Sequence, residues 1–183
     1  MKRGLSLLRQ SAAVALLIPL LILFAPRAAA QMQAPEAELK AAILVNLLLF
    51  VDWPTPGTAS GDRLLLCYLG DSPVASALRQ LDGKAVKGKA LQVLRTDAER
   101  GNGCHALYFS PSEAGVLGKL APTLRDAGIL LAGDSPDYLR QGAMVNLELA
   151  GGRIAFDIDL RSARLAGLAV SSKVLRLARQ VLE

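Results

Sequence analysis

The stretch LLLCYLGDSP, residues 64–73, carries the two signals that decide the fold of this chain. Its first six residues are apolar and of strand length, which is typical of a strand buried on both faces. A glycine then ends the strand, an Asp-Ser pair can cap a helix, and a proline suits the first helical turn. The string Gly-Asp-Ser-Pro recurs at 133–136, after another apolar run. The sequence therefore predicts strands that each lead into a helix, as in parallel α/β sheets.

Outward from this stretch, short apolar runs alternate with segments of helical periodicity. Strands are predicted over 64–69, 90–95, 104–110 and 128–132. Helices are predicted over 36–51, 74–81, 112–125, 160–166 and 171–181. A further short helix is predicted to follow 133–136 and to end near 141–142. Segments 144–149 and 153–159 alternate apolar and polar residues around Ala-Gly-Gly, which indicates a β-hairpin. The prediction is one three-layer α/β domain: a mixed, mostly parallel sheet, helices on both faces and a C-terminal antiparallel hairpin.

Two helix starts that follow two strands define a candidate ligand crevice. In a parallel sheet the carboxyl ends of the strands lie at one edge, where ligands commonly bind. The candidate residues are Asp71, Ser72, Asp134 and Ser135. The alternative is plain helix capping by the same side chains. The chain has neither G-x-G-x-x-G nor a P-loop lysine, so no specific phosphate site is indicated.

The predicted helix 36–51 is apolar on nearly every side. Such a helix is either buried in the core or packed against a partner, including a second copy of the chain. If it is a partner surface, the contact residues are Leu44, Leu47, Leu48, Val51, Trp53 and Pro54. Both interpretations remain open from the sequence.

The first 30 residues have the pattern of a secretory signal peptide. Three basic residues open the chain, an apolar run covers 12–25, and three alanines end at Ala30. Cleavage after Ala30 leaves residues 31–183 as the mature domain. A retained anchor is the alternative, but the run is about 14 residues long and contains Pro19, whereas a spanning helix needs roughly 20 residues. The expectation is a protein exported from the cytoplasm, with no stable membrane insertion after cleavage.

Removing this segment changes the charge of the chain. The whole sequence has a net charge of +5. Residues 31–183 hold 17 basic and 16 acidic side chains, so the mature domain is almost neutral. A near-neutral domain with few aromatic residues has no electrostatic reason to bind nucleic acid.

Two cysteines, Cys67 and Cys104, enclose 36 residues of the mature domain. In an oxidising compartment such a pair favours a structural disulfide, worth roughly 3–4 kcal/mol in the chain-entropy model. Free thiols and a redox-active pair are the alternatives, although redox pairs usually have closer spacing.

Signals of catalysis and metal binding are weak. The single histidine, His105, stands at the start of a predicted apolar strand, without a G-x-S-x-G motif elsewhere. Asp157 and Asp159 share one face of a predicted strand, which fits acid–base chemistry but is more typical of an exposed hairpin face. One histidine and two distant cysteines do not form a typical zinc set. We expect a protein that is not an enzyme and holds neither metal nor cofactor.

An ordered set of segments resembles a known family. The segments are FVDWP at 50–54, LCYLGD at 66–71, CHALYFS at 104–110, GAMVNL at 142–147, RIAFDI at 153–158 and GLAVSSKVLRLA at 167–178, the last of which matches a final helix. The set covers nearly all of the mature chain and is similar to the YfiR family of small periplasmic proteins.

The resemblance implies a regulatory function. Family members bind the periplasmic sensor domain of a membrane-bound diguanylate cyclase, or a similar receptor, and so control cyclic di-GMP signalling and biofilm formation. It also implies that Cys67 pairs with Cys104. Some relatives carry a second cysteine pair on the C-terminal hairpin, which this chain lacks. The alternative function is a periplasmic module that binds a small ligand without catalysis.

Overall fold

An eight-stranded sheet organises residues 33–53, 62–97 and 101–183, the parts of the chain that the computed structural model describes. The α-helices of these parts are α1 (Gln33–Leu48), α2 (Pro73–Arg79), α3 (Ala114–Asp126), α4 (Leu160–Leu165) and α5 (Ser172–Leu175). The strands are β1 (Val51–Asp52), β2 (Arg63–Leu69), β3 (Ala85–Val86), β4 (Lys89–Arg95), β5 (Ala106–Phe109), β6 (Leu130–Gly133), β7 (Val145–Ala150), β8 (Arg153–Asp159), β9 (Ala169–Val170) and β10 (Gln180–Leu182). The predicted signal peptide lies outside the described residues.

The strands of the large sheet follow the order β10-β8-β7-β6-β5-β2-β4-β3. Neighbours run parallel except for the two antiparallel pairs β7–β8 and β3–β4. Strands β1 and β9 form a separate antiparallel pair with Val51 opposite Val170. The mostly parallel sheet and the C-terminal hairpin confirm the predicted fold class.

The central strands are buried on both faces, which explains their unbroken apolar sequence. In β2, the consecutive residues Leu66, Cys67 and Tyr68 are each at most 3% exposed, although their side chains alternate between the two faces. All residues of β5 and β6 are buried as well. Helix α1 packs against α2, and α3 packs against α4. Residues Gln33–Glu183 form one compact unit.

The two cysteines are joined across neighbouring strands. Cys67 lies in β2 and Cys104 lies two residues before β5, with 5.9 Å between their Cα atoms. Both residues are buried. The predicted disulfide is therefore present in the structure.

The predicted C-terminal helix over 171–181 is wrong beyond its first turn. Helix α5 ends at Leu175, and the chain then extends into β10, which pairs in parallel with β8. Apolar residues at helical spacing are also compatible with a strand that has one face on the core, and here Val181 packs against the core beside Ile158. Tertiary pairing at the sheet edge therefore overrode the helical periodicity.

The two Gly-Asp-Ser-Pro strings differ in structure. The first opens α2 as predicted: Ser72 is the N-cap, and its Oγ accepts a hydrogen bond from the Ala75 backbone N–H at 3.0 Å. The second leads into a turn and a short 3₁₀ helix, Leu139–Gln141, instead of an α-helix. The carboxylate of Asp134 is bound elsewhere, so it does not cap a helix.

Candidate functional site

The direction of the chain through the sheet reverses beside β2. After β2 the chain adds β4 on one side of it and later places β5 on the other side. The carboxyl ends of β2 and β5 therefore flank a topological switch point, where open α/β sheets commonly bind ligands. Ser72 follows β2, Ser110 follows β5, and Asp134 follows β6.

These three residues and Tyr108 form one hydrogen-bond network. The Tyr108 hydroxyl donates to Asp134 Oδ1 at 2.6 Å and lies 3.3 Å from Ser72 Oγ. The Ser110 hydroxyl donates to the Gly70 carbonyl at 2.8 Å and lies 3.2 Å from Ser72 Oγ. The polar network therefore joins the ends of three parallel strands.

Lys40 connects α1 to the same network. Its ammonium lies 3.1 Å from Asp134 Oδ2 and 2.8 Å from Glu36 Oε1, one helical turn earlier. The side chains of Lys40 and Asp134 are only 9% and 8% exposed. Burial lowers the pKa of Lys40, but the two carboxylates more than offset this effect, and the net direction is upward. Lys40 is therefore a permanent cation at this site.

Tyr108 is a permanent hydrogen-bond donor. Burial raises its pKa far above the usual range, and the negative charge of Asp134 raises it further. The residue is completely buried. Its phenol consequently stays protonated and donates a hydrogen bond to the Asp134 carboxylate.

An open cleft of about 180 Å³ lies over this network. Its lining consists of Glu36, Ala37, Lys40, Ser72, Pro73, Val74, Pro111 and Asp134. Two of the four predicted crevice residues, Ser72 and Asp134, therefore share a cleft. Asp71 points away into an exposed ion pair with Arg95 at 3.0 Å, and Ser135 is not among the lining residues.

Sequence reasoning missed the other members of the network. Lys40 stands in an apolar helix, and Tyr108 stands in an apolar strand. A buried tyrosine usually finds a hydrogen-bond partner, so Tyr108 was an available signal. Tyr138 supports the site from behind: its hydroxyl donates to the Ser110 carbonyl at 2.6 Å, and its ring occupies the space where a Cβ at Gly133 would lie.

The single histidine of the sequence does not belong to this network. His105 precedes β5 and thus lies at the opposite edge of the sheet from Ser72. Its Nδ1 accepts a hydrogen bond from the Leu65 backbone N–H at 3.1 Å, while its buried Nε2 has no partner in the described part of the chain. Burial, followed by the positive charge of Lys89, lowers the pKa of His105.

The described residues also show neither a metal site nor a membrane span. No group of three or more His, Cys, Asp or Glu side chains in those parts is arranged to hold a metal ion. No helix in the parts that the structure describes has the length and apolar character needed to cross a membrane.

The predicted partner surface on α1 faces the core. Leu44, Leu47 and Leu48 of α1, and Val51 of the following strand β1, are each at most 5% exposed. They are therefore unavailable to a partner, and at these positions the core interpretation is correct. The physical reason is that the apolar face of the sheet must be buried against an apolar layer. Trp53 is half-buried, and its Nε1 donates to the His105 carbonyl at 3.0 Å. Pro54 lies outside the described residues.

Asp157, expected on an exposed hairpin face, is buried at 4% exposure. Strand β10 pairs with β8 beside it, and Arg179 Nε donates to Asp157 Oδ1 at 2.8 Å. The same guanidinium contacts Glu148 Oε2 at 2.7 Å. The carboxylate is therefore paired within the structure.

The comparisons with known proteins agree with this architecture. The model of the YfiR/HmsC-like family matches residues 37–179. The chain belongs to this family. Proteins of this family are periplasmic regulators of the diguanylate cyclase pathway, and the family is regulatory rather than catalytic.

Two solved structures have a similar fold. A conserved domain protein from Vibrio cholerae O1 biovar El Tor is 13% identical, with a TM-score of 0.51 over 79% of this chain. The ABC domain from Streptococcus pneumoniae, in complex with L-Trp, is 9% identical, with a TM-score of 0.54 over 80% of this chain. The chain spans about 60% of the length of each. At these identities the similarity concerns the fold alone.

Proposed function

We propose that this protein binds the periplasmic sensor domain of an inner-membrane diguanylate cyclase and holds the cyclase inactive. The observation that carries the proposal is the family match over residues 37–179. Such control requires that the protein bind one state of the sensor more tightly than the other. Shifting a sensor from mostly active to mostly inactive takes about 5 kcal/mol of differential binding.

The outer strip of α1 is the contact surface that we propose. It consists of Leu39, Ala42, Ile43, Asn46 and, in the turn after the helix, Leu49. Helical spacing places these residues on one side, opposite the buried leucines. Leu39 is 54% exposed and Leu49 is 40% exposed. An apolar strip of this kind can contribute binding energy without disturbing the core.

Deleting the gene tests the proposed function. We expect cellular cyclic di-GMP and biofilm mass to rise, and the wild-type gene to restore both. The double variant Leu39→Glu/Leu49→Glu is expected to fold but to fail in restoring them, because charges on the strip oppose burial against the sensor. Leu94→Glu is the matched control, since Leu94 is a 38% exposed leucine on β4.

The outcomes separate the surface from the function. Unchanged cyclic di-GMP after deletion would contradict the proposed function. Full complementation by the α1 double variant would remove the outer strip as the contact surface while leaving the function standing. Size-exclusion chromatography of both variants shows whether the strip instead joins two copies of this chain.

A second candidate function is a small-ligand module, favoured by the cleft at the switch point. Lys40 supplies a cation there, and Glu36 and Asp134 supply carboxylates. This combination suits a small zwitterion, so L-amino acids are the first probes. A ligand-dependent rise in the melting temperature that grows with concentration supports this candidate, and the absence of any shift at millimolar amino acid contradicts it.

A further inference from the structure

The charge of the mature domain is distributed unevenly. Residues 160–182 contain five basic residues and no acidic residue. Residues 31–159 contain 12 basic and 15 acidic residues, so the rest of the domain is weakly negative. The near-neutral net charge therefore conceals a basic C-terminal segment.

The basic residues of this segment follow one pattern twice. Arg161, Arg164 and Leu165 belong to α4, and the same spacing, basic-x-x-Arg-Leu, recurs twelve residues later. The second set, in α5 and the turn after it, is Lys173, Arg176 and Leu177. Residues three and four apart share one face of a helical turn, so each set places two cations beside one leucine.

Both sets point away from the core. Leu160 and Ala163 are the buried residues of α4, and Val174 is the buried residue of α5. Ala163 and Val174 line the same small apolar cavity. The two helices are therefore anchored on one region of the core next to β8, and α4 also contacts β10.

The four cations have no ion-pair partner among the described residues. Arg179, the fifth basic residue, is held by Asp157 and Glu148. All six residues of the two sets are exposed. Leu165 and Leu177, at 63% and 70%, are the most exposed large apolar side chains in the described parts of the chain. Within the parts that the structure describes, the four cations therefore have no counter-charge and the two leucines are uncovered.

We propose that these six residues, the basic–leucine surface, bind the surface of a bilayer that contains anionic phospholipid. Cations attract the negative headgroups, and leucines on the same faces can enter the boundary between headgroups and acyl chains. An acidic protein would satisfy the cations equally well. The bilayer is favoured because a leucine accompanies each pair of cations and both sets lie on short surface helices instead of lining a groove. Such binding would hold the regulator beside a membrane-embedded partner.

Vesicle binding by the protein purified from the exported fraction tests the proposal. Vesicles of phosphatidylcholine with one-third phosphatidylglycerol are compared with pure phosphatidylcholine. The patch variant carries Arg161→Gln, Arg164→Gln, Lys173→Gln and Arg176→Gln. The control variant carries Arg63→Gln, Arg79→Gln, Lys84→Gln and Lys119→Gln, which remove the same charge from exposed positions elsewhere. Circular dichroism tests whether both variants fold.

We expect the wild type and the control to bind the anionic vesicles, and the patch variant to bind at least about tenfold more weakly. Added salt should weaken wild-type binding, because it screens exposed charges. Leu165→Ser/Leu177→Ser should also weaken it while leaving the charge unchanged. Equal losses in the patch and control variants would overturn the proposal. Absence of wild-type binding would overturn it too, and would leave an acidic protein as the partner class.

Discussion

Two tyrosines on neighbouring strands show how differently one residue type is used in this core. Tyr68 and Tyr108 are paired in the β2–β5 register, and both are buried. The Tyr108 hydroxyl donates to a carboxylate, whereas the Tyr68 hydroxyl makes no hydrogen bond within the described residues. Asp134, which is itself buried, depends on the Tyr108 hydrogen bond as well as on Lys40.

Tyr108→Phe is expected to lower the free energy of unfolding by about 1.5–3 kcal/mol, because it removes a hydrogen bond to a buried charge. Tyr68→Phe, the matched control, should change it by less than about 0.5 kcal/mol. Urea denaturation followed by circular dichroism measures both. Equal effects of the two substitutions would show that the Tyr108–Asp134 hydrogen bond contributes no stability.

His105 is a second residue whose surroundings determine how it affects stability. The imidazole is buried and its pKa is lowered, so the unfolded chain binds the proton more readily than the folded chain. This residue's contribution to stability is therefore complete above about pH 6.5, the usual imidazole pKa, and is lost as the pH falls below it.

We expect the free energy of unfolding to decrease between about pH 7.5 and 5.5. His105→Asn keeps an acceptor for the Leu65 N–H and removes the titrating group, so its profile over this interval should be flatter. Denaturant titrations of the two proteins at several pH values provide the measurement. Parallel profiles would assign the pH dependence to other groups.

At the scale of elements, residues 179–182 are attached to the rest of the sheet by one side chain and one short strand. Strand β10 has three residues and pairs with β8 at the edge of the sheet. Just before it, Arg179 bridges Asp157 of β8 and Glu148 of β7. This bridge links the start of β10 to β8 and β7. It adds to the few backbone pairs that the three-residue strand can form.

Arg179→Ala should destabilise the protein by about 1–3 kcal/mol, because it leaves the buried Asp157 carboxylate without its partner. The partial exposure of Arg179 places the loss below that of a fully buried pair. Arg176→Ala, on an exposed arginine with no ion pair in the described structure, is the control and should cost under about 0.5 kcal/mol. Amide hydrogen exchange of the Arg179→Ala variant shows where stability is lost. Faster exchange in β10 alone would place the loss there. Exchange in β10 as slow as in the wild type would contradict the prediction.

At the scale of the whole molecule, the disulfide ties the first central strand to the segment that leads into the next one. Its cysteines are 37 residues apart in the chain. The enclosed residues include helix α2 and the strands β3 and β4. These two strands form one edge of the sheet. Closing this loop restricts the unfolded chain and so stabilises the folded protein.

Replacing both cysteines by alanine is expected to lower the free energy of unfolding by about 3–4 kcal/mol. The wild type unfolded under reducing conditions should have the same denaturation midpoint as the double variant. An unchanged midpoint in the double variant would show that the bond is not a source of stability.

Local patterns in the sequence were sufficient for the central sheet. An apolar run followed by Gly-Asp-Ser-Pro predicted β2 and α2, and alternation around Ala-Gly-Gly predicted the β7–β8 hairpin. Both predictions succeed because they depend on residues adjacent in the chain. An apolar run indicates a buried strand, and the residues of a turn indicate its geometry. The disulfide required only two cysteines and the expectation of an oxidising compartment.

Other features depend on residues that are distant in the chain, and only the tertiary structure decided them. Lys40 and Asp134 are 94 positions apart, and no local pattern indicates that they pair. The same holds for Arg179 and Asp157, whose bridge accompanies a strand where periodicity predicted a helix. The apolar stretch LLLCYLGDSP thus determined the central strand, its turn and its helix by itself, because those depend on adjacent residues. Which side chains meet at its carboxyl end, and which face of α1 is free, depended on the packing of the whole chain.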